Sequence, residues 1–278
     1  MPFVENLGAR IHWDEEGSGA PLLLIMGLGW PSQGWHRLRP VLSEKYRTIA
    51  LDNRGVGRSE APAGPYSIAQ MAADAAAVLN AARVNAAHIF GVSMGGMIAQ
   101  ELAVQYPNKV RSLILGCTAA GGPVAIRAEE EALQVLTTRG QDPDQFARAI
   151  NPFIYDAGTS PQLVEEDTAV RRKWYASAEA YFAQLQAVIA WEAYSRLAKI
   201  SAPTLVMHGE NDRLVPVENG KRIAARIPGA KLVIIPGASH VFTTDQPAAA
   251  QAAILDFLDA QATRKRERPA PVPGKTLV

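Results

Sequence analysis

The sequence predicts an α/β protein: a mostly parallel sheet flanked by helices, with a helical segment inserted between two of its strands. Short apolar runs alternate with longer stretches of helical periodicity, the pattern of parallel strands covered on both faces. The alternation lapses from Ala119 to Lys199 and then resumes. The chain of 278 residues is 48% apolar, enough for one large domain with a sizeable core.

The first apolar run is Leu22-Leu23-Leu24-Ile25-Met26, closed by Gly27-Leu28-Gly29. The next, Tyr46 to Leu51, ends in the turn-rich Asp52-Asn53-Arg54-Gly55-Val56-Gly57. Ser67 reads as a helix N-cap, with Gln70 completing a capping box. Behind it Ile68, Met71, Ala72, Ala75, Val78, Leu79 and Ala82 recur at helical spacing. A strand from Ala87 to Val92, a helix from Met94 to Gln105 and a strand from Val110 to Leu115 follow. Between Ala119 and Lys199, Gly121-Gly122-Pro123, Asp142-Pro143 and Asn151-Pro152 are expected to divide the segment into short helices. Strands resume at Thr204–Met207 and Lys231–Ile235, and a helix over Pro247–Ala260 closes the pattern. The reading is therefore a core over 1–118 and 200–262, a helical insertion over 119–199, and an aperiodic, charged then Pro-rich tail over 263–278 expected to be disordered.

Several function classes are disfavoured. Lys and Arg total 28 against 27 Asp and Glu, so no net field calls for nucleic acid or an anionic membrane. One cysteine, Cys117, allows neither an internal disulfide nor a thiolate metal cluster and fits a reducing compartment. Met1 to Asn6 lacks a basic start followed by an apolar stretch, and no apolar run approaches the roughly 18 residues of a spanning helix. Cytoplasmic residence is the expectation. Gly27-Leu28-Gly29 follows a strand, but its third glycine falls at Gly34, and neither that loop nor the one at Ser93 contains the Gly-Lys-Ser/Thr of a phosphate loop. No nucleotide, other cofactor or metal is expected.

The strongest local signal is Gly91-Val92-Ser93-Met94-Gly95, lying between an apolar strand and an amphipathic helix. A serine on a tight strand-to-helix turn is held in a strained conformation, and small neighbours two residues away let the chain fold back without collision. The hydroxyl then sits at the positive end of the following helix, where the Met94 N–H can stabilise a developing oxyanion.

A serine nucleophile needs a base. His240 alone lies just past a strand, in Pro236-Gly237-Ala238-Ser239-His240-Val241-Phe242, at the carboxyl end where open α/β sheets place their chemistry. His12 and His88 belong to strands, His208 reads as a satisfied buried histidine, and His36 follows the Gly29–Trp35 loop. The imidazole in turn needs a carboxylate to fix its tautomer. Asp212, in Gly209-Glu210-Asn211-Asp212-Arg213, is favoured; Glu210 is its nearest competitor and Asp52 another, although Asp52 reads more readily as the anchor of a local turn.

With the order Ser93, Asp212, His240 complete, the chain resembles the α/β-hydrolase superfamily over residues 3–260, including the stretch Asp52 to Ser59. The resemblance implies the α/β-hydrolase fold, with 119–199 as a cap over the active site. It also implies a second oxyanion N–H from the loop after an early strand, here Leu28, although Met26 stands where the family commonly has histidine. The loop is similar to that of some methylesterases, and the general pattern to enol-lactonases. The activity implied is hydrolysis of a small to medium carboxylic ester or lactone through an acyl-enzyme, with that small molecule as substrate and neither nucleic acid nor membrane as partner. C–C bond hydrolysis, cofactor-free perhydrolysis and a ligand receptor on a hydrolase frame remain open. Cap aromatics Trp174, Tyr175, Tyr181, Phe182, Trp191 and Tyr194 are expected mostly to pack, with about two lining a pocket. No cluster of cations for a charged acyl group is evident, so a largely uncharged substrate is expected.

Overall fold

The computed structural model describes residues 2–267 of the chain, with side chains through 261. The strands are β1 (Phe3–Asn6), β2 (Ala9–Glu16), β3 (Ala20–Ile25), β4 (Tyr46–Leu51), β5 (Ala87–Val92), β6 (Val110–Gly116), β7 (Thr204–Gly209) and β8 (Lys231–Ile235). They form one sheet in the order β1-β2-β4-β3-β5-β6-β7-β8, in which β2 alone runs against the others. The hairpin β1–β2 was not legible as a pair of apolar runs, because β1 is half exposed and charged residues break the pattern of β2.

The helices are α1 (Arg39–Ser43), α2 (Ile68–Ala81), α3 (Met94–Gln105), α4 (Glu130–Thr137), α5 (Pro143–Ile154), α6 (Pro161–Lys173), α7 (Ala178–Ala190), α8 (Glu218–Arg226), α9 (Phe242–Asp245) and α10 (Pro247–Glu267). Alternate strand residues feed two cores, one on each face of the sheet. Leu23, Ile25, Ile89, Leu113 and Leu115 pack with α2 and α3. Leu22, Leu24, Phe90, Ile114 and Met207 pack with Leu42 of α1 and Ile254 of α10. Burying each such side chain stabilises the fold by about 1.5–3 kcal/mol, and deleting one from the centre, as in Phe90→Ala, costs about 3–5 kcal/mol.

The capping box of α2 is present: the Ser67 side chain accepts from Gln70 N at 3.1 Å, and the Gln70 side chain accepts from Ser67 N at 3.1 Å. Its Asp74 is buried and takes a two-pronged ion pair from Arg54 at 2.7 and 2.8 Å, which pins the loop after β4.

Among the described residues, no sheet strand lies between Gly116 and Thr204; α4 to α7 occupy the interval, with an isolated bridge from Gly121 to Glu192. Two sequence expectations are corrected. Asn151-Pro152 does not divide helices: Pro152 lies in the last turn of α5, where its missing N–H removes a single hydrogen bond and the helix ends two residues later. At the other end, α10 continues to Glu267, beyond the expected tail start at 263; residues 268–278 of that tail lie outside the described residues. No helix among the described residues is long and apolar enough to cross a membrane.

Candidate active site

The turn between β5 and α3 holds Ser93 at φ 55° and ψ −123°, a strained conformation for a residue with a side chain. The turn closes only because Gly91 and Gly95 lack side chains. A Cβ on Gly91 would strike the Gly95 carbonyl, and one on Gly95 would strike the carbonyls of Ile25 and Met26. Thr118 Oγ1 donates to the Ser93 carbonyl at 2.7 Å, tying the turn to the end of β6.

The loop after β3 lies directly against this turn. A Cβ on Gly27 would sit 3.4 Å from Ser93 Oγ. Two side chains that the sequence did not single out hold the loop. Asn53 Nδ2 donates to the Met26 carbonyl at 2.9 Å. Gln184 of α7 accepts from Gly29 N at 2.9 Å and donates to the Arg54 carbonyl at 2.7 Å. Met26 itself is buried in the wall beside Ser93, so the apolar residue is accommodated by packing. Leu28 and Met94 line the same cavity as Ser93, and no hydrogen bond from the backbone N–H of either is seen among the described residues.

Asp212 and His240 come from the loops after β7 and β8. His240 Nδ1 lies 2.8 Å from Asp212 Oδ2, so Nδ1–H donates and Nε2 is left as the acceptor. Asp212 Oδ1 accepts from Leu214 N at 3.0 Å and Val215 N at 2.8 Å. Burial alone would raise the Asp212 pKa, but the imidazoles of His240 and His208 outweigh it and hold the carboxyl below its ordinary value. His208 is buried as expected, but it is more than a core residue. Its Nε2 lies 2.6 Å from the Val215 carbonyl and 3.3 Å from Asp212 Oδ2, so the acid is flanked by two imidazoles.

The remaining candidates are placed elsewhere. Glu210 is exposed. Asp52 is fully buried beneath the early loops, accepting from Ser32 N at 2.6 Å and Arg58 N at 3.0 Å beside His12 at 3.1 Å. His88 pairs with Ser112 at 2.8 Å, and His36 lies 3.3 Å from Asp167.

Ser93 and His240 open onto one cavity of about 260 Å³, roofed by α4 to α7. Its walls are largely apolar, with Trp30, Trp35, Phe146, Leu185 and Phe242 among them. Of the aromatic residues named from the sequence, Tyr181 lines this cavity and Tyr175 borders a small adjoining one. Trp191 instead donates to Glu101 of α3 at 2.7 Å, and Trp174 stacks on Arg58. The expected absence of cations is corrected: Arg171 lines both cavities and Arg139 the smaller. They stand far apart in sequence, on α6 and just after α4, and no local pattern brings them together.

A family profile described as the alpha/beta hydrolase fold matches residues 20–247. The chain belongs to the α/β-hydrolase family. It is 32% identical over 266 residues to a protein of Azorhizobium caulinodans provisionally named carbamate hydrolase RutD, covering 92% of this chain and 98% of that one. It is also 32% identical over 258 residues to a poly(3-hydroxyalkanoate) depolymerase of Ectopseudomonas oleovorans, covering 91% and 89%. Among solved structures, the enol-lactonase from Burkholderia xenovorans LB400 superposes with a TM-score of 0.83 at 26% identity, covering 93% of this chain and all of that one. Together these relatives support a hydrolase of the α/β family.

Proposed function

We propose that this α/β-hydrolase cleaves a small to medium carboxylic ester or lactone through an acyl-enzyme, with Ser93 as nucleophile, His240 as base and Asp212 as the acid that orients it. The observation that carries the reading is a serine at positive φ opening onto the same cavity as an imidazole whose Nδ1 is held 2.8 Å from a buried carboxylate. Relatives named for lactone and polyester substrates add support.

In this reading Ser93 Oγ attacks the acyl carbonyl while His240 Nε2 takes its proton. The carbonyl oxygen, now an oxyanion, accepts from the Leu28 and Met94 N–H groups, each such donor contributing about 10²–10³-fold to turnover. The imidazolium, stabilised by Asp212, returns the proton to the departing alcohol oxygen as the ester C–O bond breaks. Water then repeats the sequence on the acyl-enzyme, releasing the acid and freeing Ser93. Residues 119–199 act as a cap and 1–118 with 200–262 as the catalytic core, so the enclosed cavity limits the length of the acyl chain.

The test is labelling with a fluorophosphonate followed by p-nitrophenyl esters from acetate to palmitate. The intact protein should label and turn over short to medium esters without an emulsified interface. Ser93→Ala should lose labelling and on the order of 10⁶-fold in turnover. A variant retaining a tenth of the activity would remove Ser93 from the mechanism, and an interfacially activated maximum at long chains would remove the size limit.

A further inference from the structure

The small cavity beside the Leu28–Trp30 loop is lined by polar groups that lack partners. Arg139, Arg171 and Tyr181 are 6%, 8% and 2% exposed, and all three line it. Arg139 Nη2 donates to the Ala176 carbonyl at 2.8 Å, which leaves its Nε and Nη1 without an acceptor. Arg171 Nη2 is satisfied by Asn151 and Thr168, and its Nε has none. The Tyr181 hydroxyl is likewise buried and unpaired. These groups line the one small cavity: the Arg139 guanidinium carbon lies 3.7 Å from the centre of the Tyr175 ring and 4.2 Å from that of Tyr181, and Arg171 stacks 4.9 Å from Trp30.

Among the described residues, no carboxylate forms an ion pair with either arginine. The acid in the wall, Asp167, attracts Arg171 through space but makes its short contacts elsewhere. Its Oδ1 faces Arg37 Nε at 3.0 Å and His36 at 3.3 Å, and its Oδ2 accepts from Tyr155 at 3.1 Å and Thr244 at 2.7 Å. Burial lowers both guanidinium pKa values from their ordinary level. Two buried guanidiniums with unpaired donors and no ion-paired carboxylate carry a desolvation cost that nearby tyrosines and the more distant Asp167 offset only in part. Buried polar groups are otherwise almost always partnered, so this cluster requires an account.

We infer that Arg139 and Arg171 form a carboxylate subsite, and that the substrate carries a free carboxylate at the end of the acyl group remote from the scissile ester. Guanidinium forks match a carboxylate bidentately, and a desolvated pair of them binds it more strongly than a surface lysine would. Arg171 lines the cavity that holds Ser93 as well as the smaller one, so a chain with its ester at Ser93 shares a wall with the arginine cluster. This deepens the ester or lactone reading and rests on it for which bond is cut, but the anion binding stands on the arginines alone.

The experiment compares p-nitrophenyl hexanoate and octanoate with the mono-p-nitrophenyl esters of adipic and suberic acid. On the unsubstituted protein the anionic ester should show at least about 10-fold higher kcat/KM than its neutral partner at one chain length or both. Arg171→Met and Arg139→Met should each lower that anionic-to-neutral ratio by about 10- to 100-fold, with Arg171→Lys intermediate. A second arm measures calorimetric binding of mono-p-nitrophenyl suberate to Ser93→Ala, with and without Arg171→Met. Binding that disappears with the arginine supports the subsite even if the ester assays fail and the serine mechanism falls. An anionic-to-neutral ratio of one or below at both lengths overturns the inference. So does a preference that survives both methionine variants. Acetate binding with the same arginine dependence, while the anionic esters gain nothing, would show that the arginines hold a free anion, and the substrate assignment would fall.

Discussion

At the scale of single residues, the proposed mechanism turns on which carboxylate meets His240. Asp212 is buried and shares its Oδ2 with the imidazole, while Glu210, two residues earlier, points to solvent. Asp212→Asn keeps the shape but presents an amide that can no longer fix the tautomer or stabilise the imidazolium, so turnover should fall on the order of 10⁴-fold. Glu210→Gln should change it by less than about threefold, the scale of a solvated surface side chain. Steady-state kinetics on the two variants decides, and the reverse ranking would move the acid to Glu210. Ser93 and His240 were legible because each is announced locally, by glycines around a strand-to-helix turn and by a histidine in a loop after a strand. The second imidazole on Asp212 was not, since His208 lies inside a strand and reaches the acid only when its loop folds back.

At the scale of elements, the period of apolar residues and the capping box of α2 survive into the fold because both depend on near neighbours. What failed to show was the brace between elements. Gln184 sits with Glu179 and Gln186 on an otherwise largely apolar helix, yet it is buried and joins Gly29 on the loop after β3 to Arg54 on the loop after β4. Gln184→Leu would leave a half-buried N–H and a buried carbonyl unpaired, the carbonyl costing about 1–3 kcal/mol and the N–H less, and free the Leu28 loop to shift. A displacement near 1 Å at such a loop costs about 10²-fold, so kcat should fall by that order with a smaller change in KM. An unchanged kcat in a folded variant would show that the loop keeps its place without Gln184. The buried arginines escaped notice for the same reason as Gln184: side chains that meet across helices leave no period in the sequence.

At the scale of the molecule, the distant parts are tied by buried carboxylates. Asp52 joins the early loops, Asp167 fastens α6 to Arg37 and to Thr244 of α9, and Asp212 links the loops after β7 and β8. Glu101 of α3 takes Arg196 at 2.8 Å and Trp191 at 2.7 Å, fastening the end of the helical segment to the core. For all four, burial alone would raise the pKa, yet the donors around them prevail and hold each below its ordinary value. A carboxyl depressed in the folded state contributes stability that is full above its unfolded pKa, about 4, and is lost as pH falls through the folded value. Asp245, raised chiefly by burial, works the other way: its contribution is present at low pH and is lost as pH rises through its folded value. With four groups against one, melting temperature should hold near neutrality and drop progressively below about pH 4. Arg196→Ala isolates one tie. It leaves the Glu101 carboxylate buried with neutral donors only, and because Arg196 is itself 31% exposed the cost at pH 7 should be about 2 kcal/mol, below the 3–5 typical of a fully buried pair. That cost should shrink on acidification, as Glu101 takes up a proton in place of its lost partner. Urea unfolding of the variant and the unsubstituted protein at pH 7 and near pH 4 measures both quantities, and a difference independent of pH would assign the loss to packing of the arginine stem instead of its charge.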